Sequence, residues 1–587
     1  MKNNIFVKGL VLGIMLIVIG MIVNPTNASN AIVEKSFISA FDRNTLYVGG
    51  SGPGNYSSIQ DAIDNASDGD TIFVYEDSSP YFEFLSVNKS IHLLGEDKNT
   101  TIIDGSSERR EVIHITADDV CVRGFTVINR GKETILIHSN NTRIINNILG
   151  PNISGWSGNG IRLYHAHNNV IEGNEISRTF NAIEISNSNN NTIQDNYVKK
   201  SWLYGIWLSS SIDNRIISNN LDTGSPVGSP GSYKGIRLTG SINNTITNNI
   251  MTSQDEDCIN GMEVWDSKNN VIKGNTFIQC GFQWYGYYDN VIENNTVNGK
   301  PLVYLMGQSD LVIDDAGQVV LIQCSDSTIK DLELANIPKG VELFSSNNCV
   351  ITNIVCIDSG YGIDLDSSEN NQITNNLLVN NLHGIYVDDG STNTVVSNNI
   401  VRQNLYTGIY SNAAQVTIEG NQVNDNNRGI ITGGIFALQN NIISNNVTNN
   451  WNGILLNSIS TKVTQNVIND NVNGIQIRGS SDRNHIISNE IINNECGLNI
   501  TYEPESRRSN GNWILKNNFI GNNKHAYFDS SYKNHWLRNY WEGKILPPVI
   551  IPGMWSFYQV HPWSGAIISE KHIPWIDVDW IPALLPH

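Results

Sequence analysis

The sequence predicts an all-β protein built as one parallel β-helix, a solenoid of stacked coils, closed at each end by a different cap. Three observations carry this. The chain has 587 residues, too many for a single compact core, which stops growing near ~250–300 residues. Asn accounts for 85 of them, while charged residues make up 16% and apolar residues 40%. That bias suits a fold with many tight turns, because Asn tolerates left-handed backbone and bonds its own main chain. Third, one pattern recurs from about residue 130: Gly-Ile-x-Leu, polar residues, then Asn-x-Ile-x-x-Asn-x-Ile. The apolar residues alternate with period two, and ~22 residues hold three short strands and three turns.

The elements follow in chain order. Lys2 and Lys8 precede an apolar run, Gly9 to Val23, and Thr26-Asn27-Ala28 offers small residues for cleavage. This is signal-peptide grammar, so residues 1–28 are expected to direct export to the cell surface, the periplasm or the medium. The run is short for a membrane span, which needs ~18 residues or more. Membrane contact is therefore expected only through that segment, if it stays uncleaved. Residues 29–43 read as a linker and 44–130 as an N-terminal cap with the first coils. Ser57–Ala66 is the one helical pattern, with Ser57 or Ser58 as cap and Ile59, Ala62, Ile63 and Ala66 on one face. It would cover the open end of the tube.

Residues 131–535 are the repeats. Aligning the Asn after each apolar residue gives a ladder: Asn147, Asn174, Asn196, Asn219, Asn249, Asn275 and Asn295, then Asn353, Asn376, Asn398, Asn421, Asn445, Asn466, Asn489 and Asn517. Each amide is expected at an inward turn, bonded to the coils above and below. Gly160, Gly205, Gly235, Gly261, Gly362, Gly384, Gly408, Gly453 and Gly474 mark a second turn, expected to need positive φ. Residues 536–587 hold six of the 13 Trp and seven of the 16 Pro, which reads as an irregular aromatic C-terminal cap.

The net charge of −19 repels phosphate backbones and excludes nucleic acid as a partner. Seven cysteines without a Cys-x-x-Cys spacing are not a disulfide framework; buried thiols are expected.

The segment from Ser58-Ile59-Gln60-Asp61-Ala62-Ile63 to Gly69-Asp70-Thr71-Ile72, with Val87-Asn88-Lys89-Ser90-Ile91 and Ile102-Ile103-Asp104-Gly105, resembles the opening of pectin-lyase-like right-handed β-helices. The repeats resemble carbohydrate-binding and sugar-hydrolase (CASH) domains, the NosD-like periplasmic copper-binding family and archaeal surface proteins. The stretch Asn298-Gly299-Lys300-Pro301-Leu302-Val303-Tyr304, running on to Gly317-Gln318-Val319-Val320, is similar to an element of those families. The resemblance covers roughly residues 44–545 and implies a right-handed, single-stranded helix. It is poor in functional content, since the fold hosts lyases, hydrolases and binders.

In each Gly-Ile-x-Leu-x strand the two x positions face outward and stack into stripes with a rise of about 4.8 Å per coil. The stripes bring acids and aromatics together at Trp207, Glu263, Trp265, Tyr285, Glu342, Phe344, Asp364, Asp366, Tyr386, Asp388 and Tyr410. Beyond Asn412 they turn bland: Ile431, Gly433, Leu455 and Asn457. Aromatic faces stack on sugar rings and carboxylates bond hydroxyls, so this stretch is the candidate groove for a polysaccharide or cell-envelope glycan. The inserted loop Thr223–Tyr233 and Asp255-Glu256-Asp257 flank it. The same acids also suit Ca²⁺.

Two alternatives come from other classes. Paired acids such as Asp364 with Asp366 suit acid–base or nucleophilic work, as in a polysaccharide lyase or glycoside hydrolase, with catalytic residues unknown. Asp257-Cys258-Ile259 is similar to one polygalacturonase motif, but the Asn-Thr-Asp and Gly-His-Gly motifs of those enzymes are missing from the sequence. A NosD-like copper protein is the other alternative. His92, His114, His138 and His165 recur one coil apart, and stacked imidazoles suit Cu²⁺ or Zn²⁺.

Overall fold

The computed structural model describes residues 44–150, 158–222, 234–253, 260–286, 289–502, 508–544, 548–560 and 567–587. The leader-like segment, the linker, the loop 223–233 and the Asp255–Asp257 stretch lie outside them. The described chain is a right-handed parallel β-solenoid of about 21 coils with a single α-helix, Ile59–Asn65. Ser58 caps that helix by accepting from the Asp61 amide, and the Glu83 carboxylate accepts from the Ile59 and Gln60 amides at 2.8 and 2.9 Å. These bonds satisfy the N–H groups that a helix start leaves without partners. Ile59, Ala62 and Ile63 are buried against the first coil.

A coil is three strands and three turns. In one, Tyr361–Asp366, Gln372–Thr374 and Leu377–Val379 each pair in parallel with their equivalents one coil on. Ile363, Leu365, Ile373 and Leu378 fill the tube with no exposed surface. At the turn between the short strands, one residue adopts a left-handed conformation and the next is buried: Asn375 has φ 58° and Asn376 is 2% exposed. The Asn376 side chain donates to the Ile351 carbonyl (3.0 Å) and to Asn399 Oδ1 (2.9 Å), and the Asn376 backbone N–H donates to the same Oδ1. This stack runs from Asn147 through Asn174, Asn196, Asn219, Asn249 and Asn275 to Asn295. It resumes through Asn376, Asn399, Asn421, Asn445, Asn466, Asn489, Asn517 and Asn539.

Two expected rungs stand one residue away. Asn353 and Asn398 are exposed and occupy the left-handed position, both with φ 55°. The buried positions belong to Ile354 and Asn399. Asn fits both sites, the first for its tolerance of positive φ and the second for its amide. Two further ladders escaped the sequence reading. Asn169, Asn191, Asn214, Asn244, Asn270 and Asn290 form one. The other runs from Asn404 through Asn426, Asn450, Asn471 and Asn494 to Asn522.

The repeat glycines also serve differently from expectation. Gly362, Gly384, Gly408, Gly453 and Gly474 sit within strands, outside the left-handed region. A Cβ on Gly384 would stand 2.5 Å from the Gly408 carbonyl oxygen. Glycine is required there for close approach between coils.

The solenoid is stepped. The sheet of long strands in the first half ends at Gly281–Tyr285, and a second sheet ends at Val291–Glu293. Thr296–Val297 then turns into an antiparallel pairing with Lys300–Met306. That strand opens a new parallel sheet with Gln318–Ile322, Lys339–Phe344 and Tyr361–Asp366. The Gln318 side chain holds the joint, accepting from the Phe282 N–H (2.9 Å) and donating to its carbonyl (2.6 Å). Trp284 aligns with Val264 of the first core, yet its ring meets Phe344 edge-on at 5.4 Å. Phe344 aligns with outward-facing Asp366. The inner face of the first stack's last long strand thus lies against the outer face of the second stack.

The C-terminal cap, expected to be irregular, contains an antiparallel hairpin, Val549–Val560 with Ile567–Asp579. Pro552 and Pro574 lie inside its strands, where prolines normally argue against a strand. The ladder reaches this segment. Buried Asp579 takes the place of the next amide, its Oδ2 accepting from Asn539 N–H, Asn539 Nδ2 and Trp541 Nε1, each at 3.1 Å.

Candidate functional site

The outward stripes are continuous in register within each stack: Arg162, Glu184, Trp207, Arg237, Glu263 and Gln283 in the first, and Glu342, Asp364, Tyr386 and Tyr410 in the second. The step between the stacks cuts the expected groove and makes a corner. A cavity of about 500 Å³ opens there, lined by Trp284, Tyr285 and Gly286 from the first stack and by Lys339, Glu342, Phe344, Tyr361, Asp364, Asp366, Tyr386 and Asp388 from the second.

Seven of the predicted groove residues line this cavity: Tyr285, Glu342, Phe344, Asp364, Asp366, Tyr386 and Asp388. Tyr410 stacks on Tyr386 (4.5 Å, 18°) at its margin, and Trp265 packs on Tyr285 at 4.7 Å. Glu263 and Trp207 lie apart from it. Glu263 is buried in ion pairs with Arg237 (2.9 Å) and Lys234 (3.8 Å), and Trp207 Nε1 donates to Thr239 Oγ1. On the bland stretch, Ile431 and Leu455 are buried, so they are not the solvated positions their spacing suggested.

At the floor of the cavity sits Lys339. Its amine bonds Asp364 Oδ2 at 2.7 Å and contacts Glu342 Oε1, and all three side chains are largely buried. Burial works against the Lys339 charge, but Glu342 and Asp364 outweigh it and hold the amine protonated, above its ordinary value. Burial pushes the Glu342 carboxyl up against the pull of Lys339. Glu342 Oε2 has no hydrogen-bond partner among the described residues. Asp366 is also raised, first by burial and then by Asp388 and Asp364, while the Ser367 hydroxyl opposes. Burial pushes the Tyr285 phenol up to about 12.

One wall is aromatic. Tyr361 stacks on His383 (4.8 Å, 15°) and meets Tyr386 edge-on at 5.4 Å. Lys339, Tyr361, His383 and Thr407 align, each one residue before a repeat glycine. This third column lies outside the two x positions of the Gly-Ile-x-Leu-x pattern, so the stripes do not reveal it. Trp284 was missed because its spacing marks it as core.

Of the predicted imidazole stack, only His114 and His138 come into contact. His92 belongs to a different sheet from His114. His165 sits in a left-handed turn beside Tyr164. His114 Nε2 and His138 Nδ1 are hydrogen-bonded to each other at 3.0 Å. The described cysteines are unpaired thiols, four of them buried. Among the described residues, no group of three His, Cys, Asp or Glu side chains is arranged to hold a metal ion. These donors do not fit a copper centre, nor do the groove acids form a Ca²⁺ cage. Among the described residues no helix is long and apolar enough to cross a membrane.

Fold and site define a right-handed parallel β-helix protein with an acidic, aromatic-walled cavity at a step in its lateral face. A family model described as "Periplasmic copper-binding protein (NosD)" matches residues 63–256 and 306–434, more than half of the chain. The chain belongs to that family. The match is interrupted across the step. A second family model, "Right handed beta helix region", matches residues 229–316 and 382–523. No curated protein matches. Solved structures to which this chain is similar include the periplasmic alginate epimerase AlgG (13% identity, 65% of this chain and 76% of that one, TM-score 0.30). Others are a pectin methylesterase in complex with a hexasaccharide (12%, 45% and 92%, 0.32) and the Azotobacter vinelandii mannuronan C-5 epimerase AlgE6 A-module (10%, 80% and 89%, 0.19). These likenesses concern the fold alone.

Proposed function

We propose that this protein works outside the cytoplasm and binds carbohydrate in the cavity at the step. The observation that carries the reading is the meeting, in one open corner, of aromatic rings from both stacks with carboxylates on three successive coils. A cavity of this size is in the range of small-ligand sites. Rings give a sugar its apolar contact and carboxylates bind its hydroxyls. Extracytoplasmic placement is supported by the leader grammar of residues 1–28 and by the family's description as periplasmic. The test is a polysaccharide array probed with the full chain. Tyr386→Ala is expected to weaken the bound glycan threefold to tenfold, the equivalent of about 0.5–1.5 kcal/mol of stacking. Asn457→Ala, exposed on the second stack away from the cavity, should leave it unchanged. Failure of every glycan to bind, or equal loss in both variants, refutes the reading.

A further inference from the structure

The charge balance of the cavity narrows the ligand, on the reading that it takes a carbohydrate. Four carboxylates, Glu342, Asp364, Asp366 and Asp388, face one ammonium. That ammonium is committed to Glu342 and Asp364. Among the described residues, Asp366 and Asp388 have only neutral donors: Ser367 Oγ at 2.8 Å and Asn412 Nδ2 at 3.2 Å. They stand on adjacent coils, about 4.8 Å apart along the stack. A buried acceptor, Glu342 Oε2, also lacks a partner among the described residues; its side chain lines the same cavity and is 8% exposed.

We infer that the cavity takes an amino sugar: a glycan unit with a free, protonated amine, its ammonium between Asp366 and Asp388 and its ring against Tyr386. An ammonium offers three donors to carboxylates that lack a cationic partner, and aromatic faces such as Tyr285 and Tyr361 favour a cation nearby. A uronic acid would bring a further negative charge against four carboxylates. A bare divalent ion suits the corner less well, because Lys339 already fills the gap between Glu342 and Asp364 and leaves no ring of three free ligands.

The test is calorimetric titration of the full chain with three tetrasaccharides: β-1,4-linked glucosamine, its N-acetylated form, and α-1,4-linked galacturonate. The glucosamine tetramer should bind about tenfold or more tightly than the N-acetyl tetramer, the size of one charge-assisted contact. Galacturonate should be the weakest. The double variant Asp366→Asn with Asp388→Asn should erase the preference for the free amine. If the N-acetyl or galacturonate tetramer binds as tightly as glucosamine, and Tyr386→Ala weakens it, the amino-sugar assignment falls while the carbohydrate reading stands. If no tetramer binds, the amino-sugar assignment falls, and the carbohydrate reading is decided by the polysaccharide array. If glucosamine binds and the double variant keeps the preference, attraction to the acidic surface explains it and the assignment is overturned. The comparison on the unaltered chain stands even where a variant fails to fold.

Discussion

Replacing Asn399 by Ala is expected to cost the fold about 3–5 kcal/mol, whereas the same change one residue earlier, at Asn398, costs only about 1–2 kcal/mol. The Asn399 side chain makes four hydrogen bonds of 2.9 Å: Oδ1 accepts from the Asn376 N–H and Nδ2, and its own Nδ2 donates to the Ile373 carbonyl and to Asn421 Oδ1. Truncation spares part of this network. Asn421 Oδ1 keeps the Asn399 N–H, and Asn376 Nδ2 keeps the Ile351 carbonyl. The buried Asn376 N–H and one proton of its amide lose their partner, and the Ile373 carbonyl loses a donor. Each buried polar group left unmet costs about 1–3 kcal/mol. Asn398 is exposed and owes its place to a φ of 55°, so Ala there meets only the left-handed penalty, and Gly should be close to neutral. Urea denaturation of the three variants measures the difference. Solenoids can unfold in pieces, so amide exchange at Asn376 gives a local reading of the same loss. Equal damage from Asn398→Ala and Asn399→Ala would refute the ladder register, as would an Asn399→Ala protein within about 1 kcal/mol of the parent.

Three further outcomes are expected. Lys339→Met leaves Glu342 and Asp364 buried without their cation and should cost about 3–5 kcal/mol by urea titration, most of it restored when Glu342→Gln and Asp364→Asn are added. Asp366 has a raised pKa, so its charged form burdens the fold once pH rises through that value; Asp366→Asn should be more stable than the parent at neutral pH, and the advantage should vanish in acid, where both side chains are uncharged. Deleting the chain through Asp70 removes the capping helix and bares the edge of the strand Thr71–Val74; light scattering should then show oligomers, and a monomeric product with unchanged melting would contradict the capping role.

The solenoid was legible because each coil repeats the same demand: an apolar pair facing in, a glycine where carbonyls crowd, an amide at the inward turn. Register was less legible where that demand is met by other means. At Ile354 an apolar residue holds the amide's place, and at Asn398 an Asn-Asn doublet offers two candidates for one site. The side chains of the cavity's second stack could be read as an outward stripe, but the cavity itself could not. It arises where the coil pattern breaks at Asn298–Pro301 and the two stacks meet out of line, and such an offset leaves no periodic trace. Lys339 escaped for a related reason, since the column it shares with Tyr361 and His383 gains meaning only once Trp284 is set over Phe344.

The placement of the step has a consequence for how this molecule can vary in length. Each coil touches only its neighbours, and the cavity draws on the last long strand of the first stack and the early coils of the second. Coils inserted or lost between Asn445 and Asn517, or among the early coils before Asn174, would leave every wall of the corner in place. Each would change the reach of one arm by about 4.8 Å. Recognition and span are therefore separable properties of this chain: the joint holds the chemistry, and the number of turns on either side sets the length of the two arms that flank it.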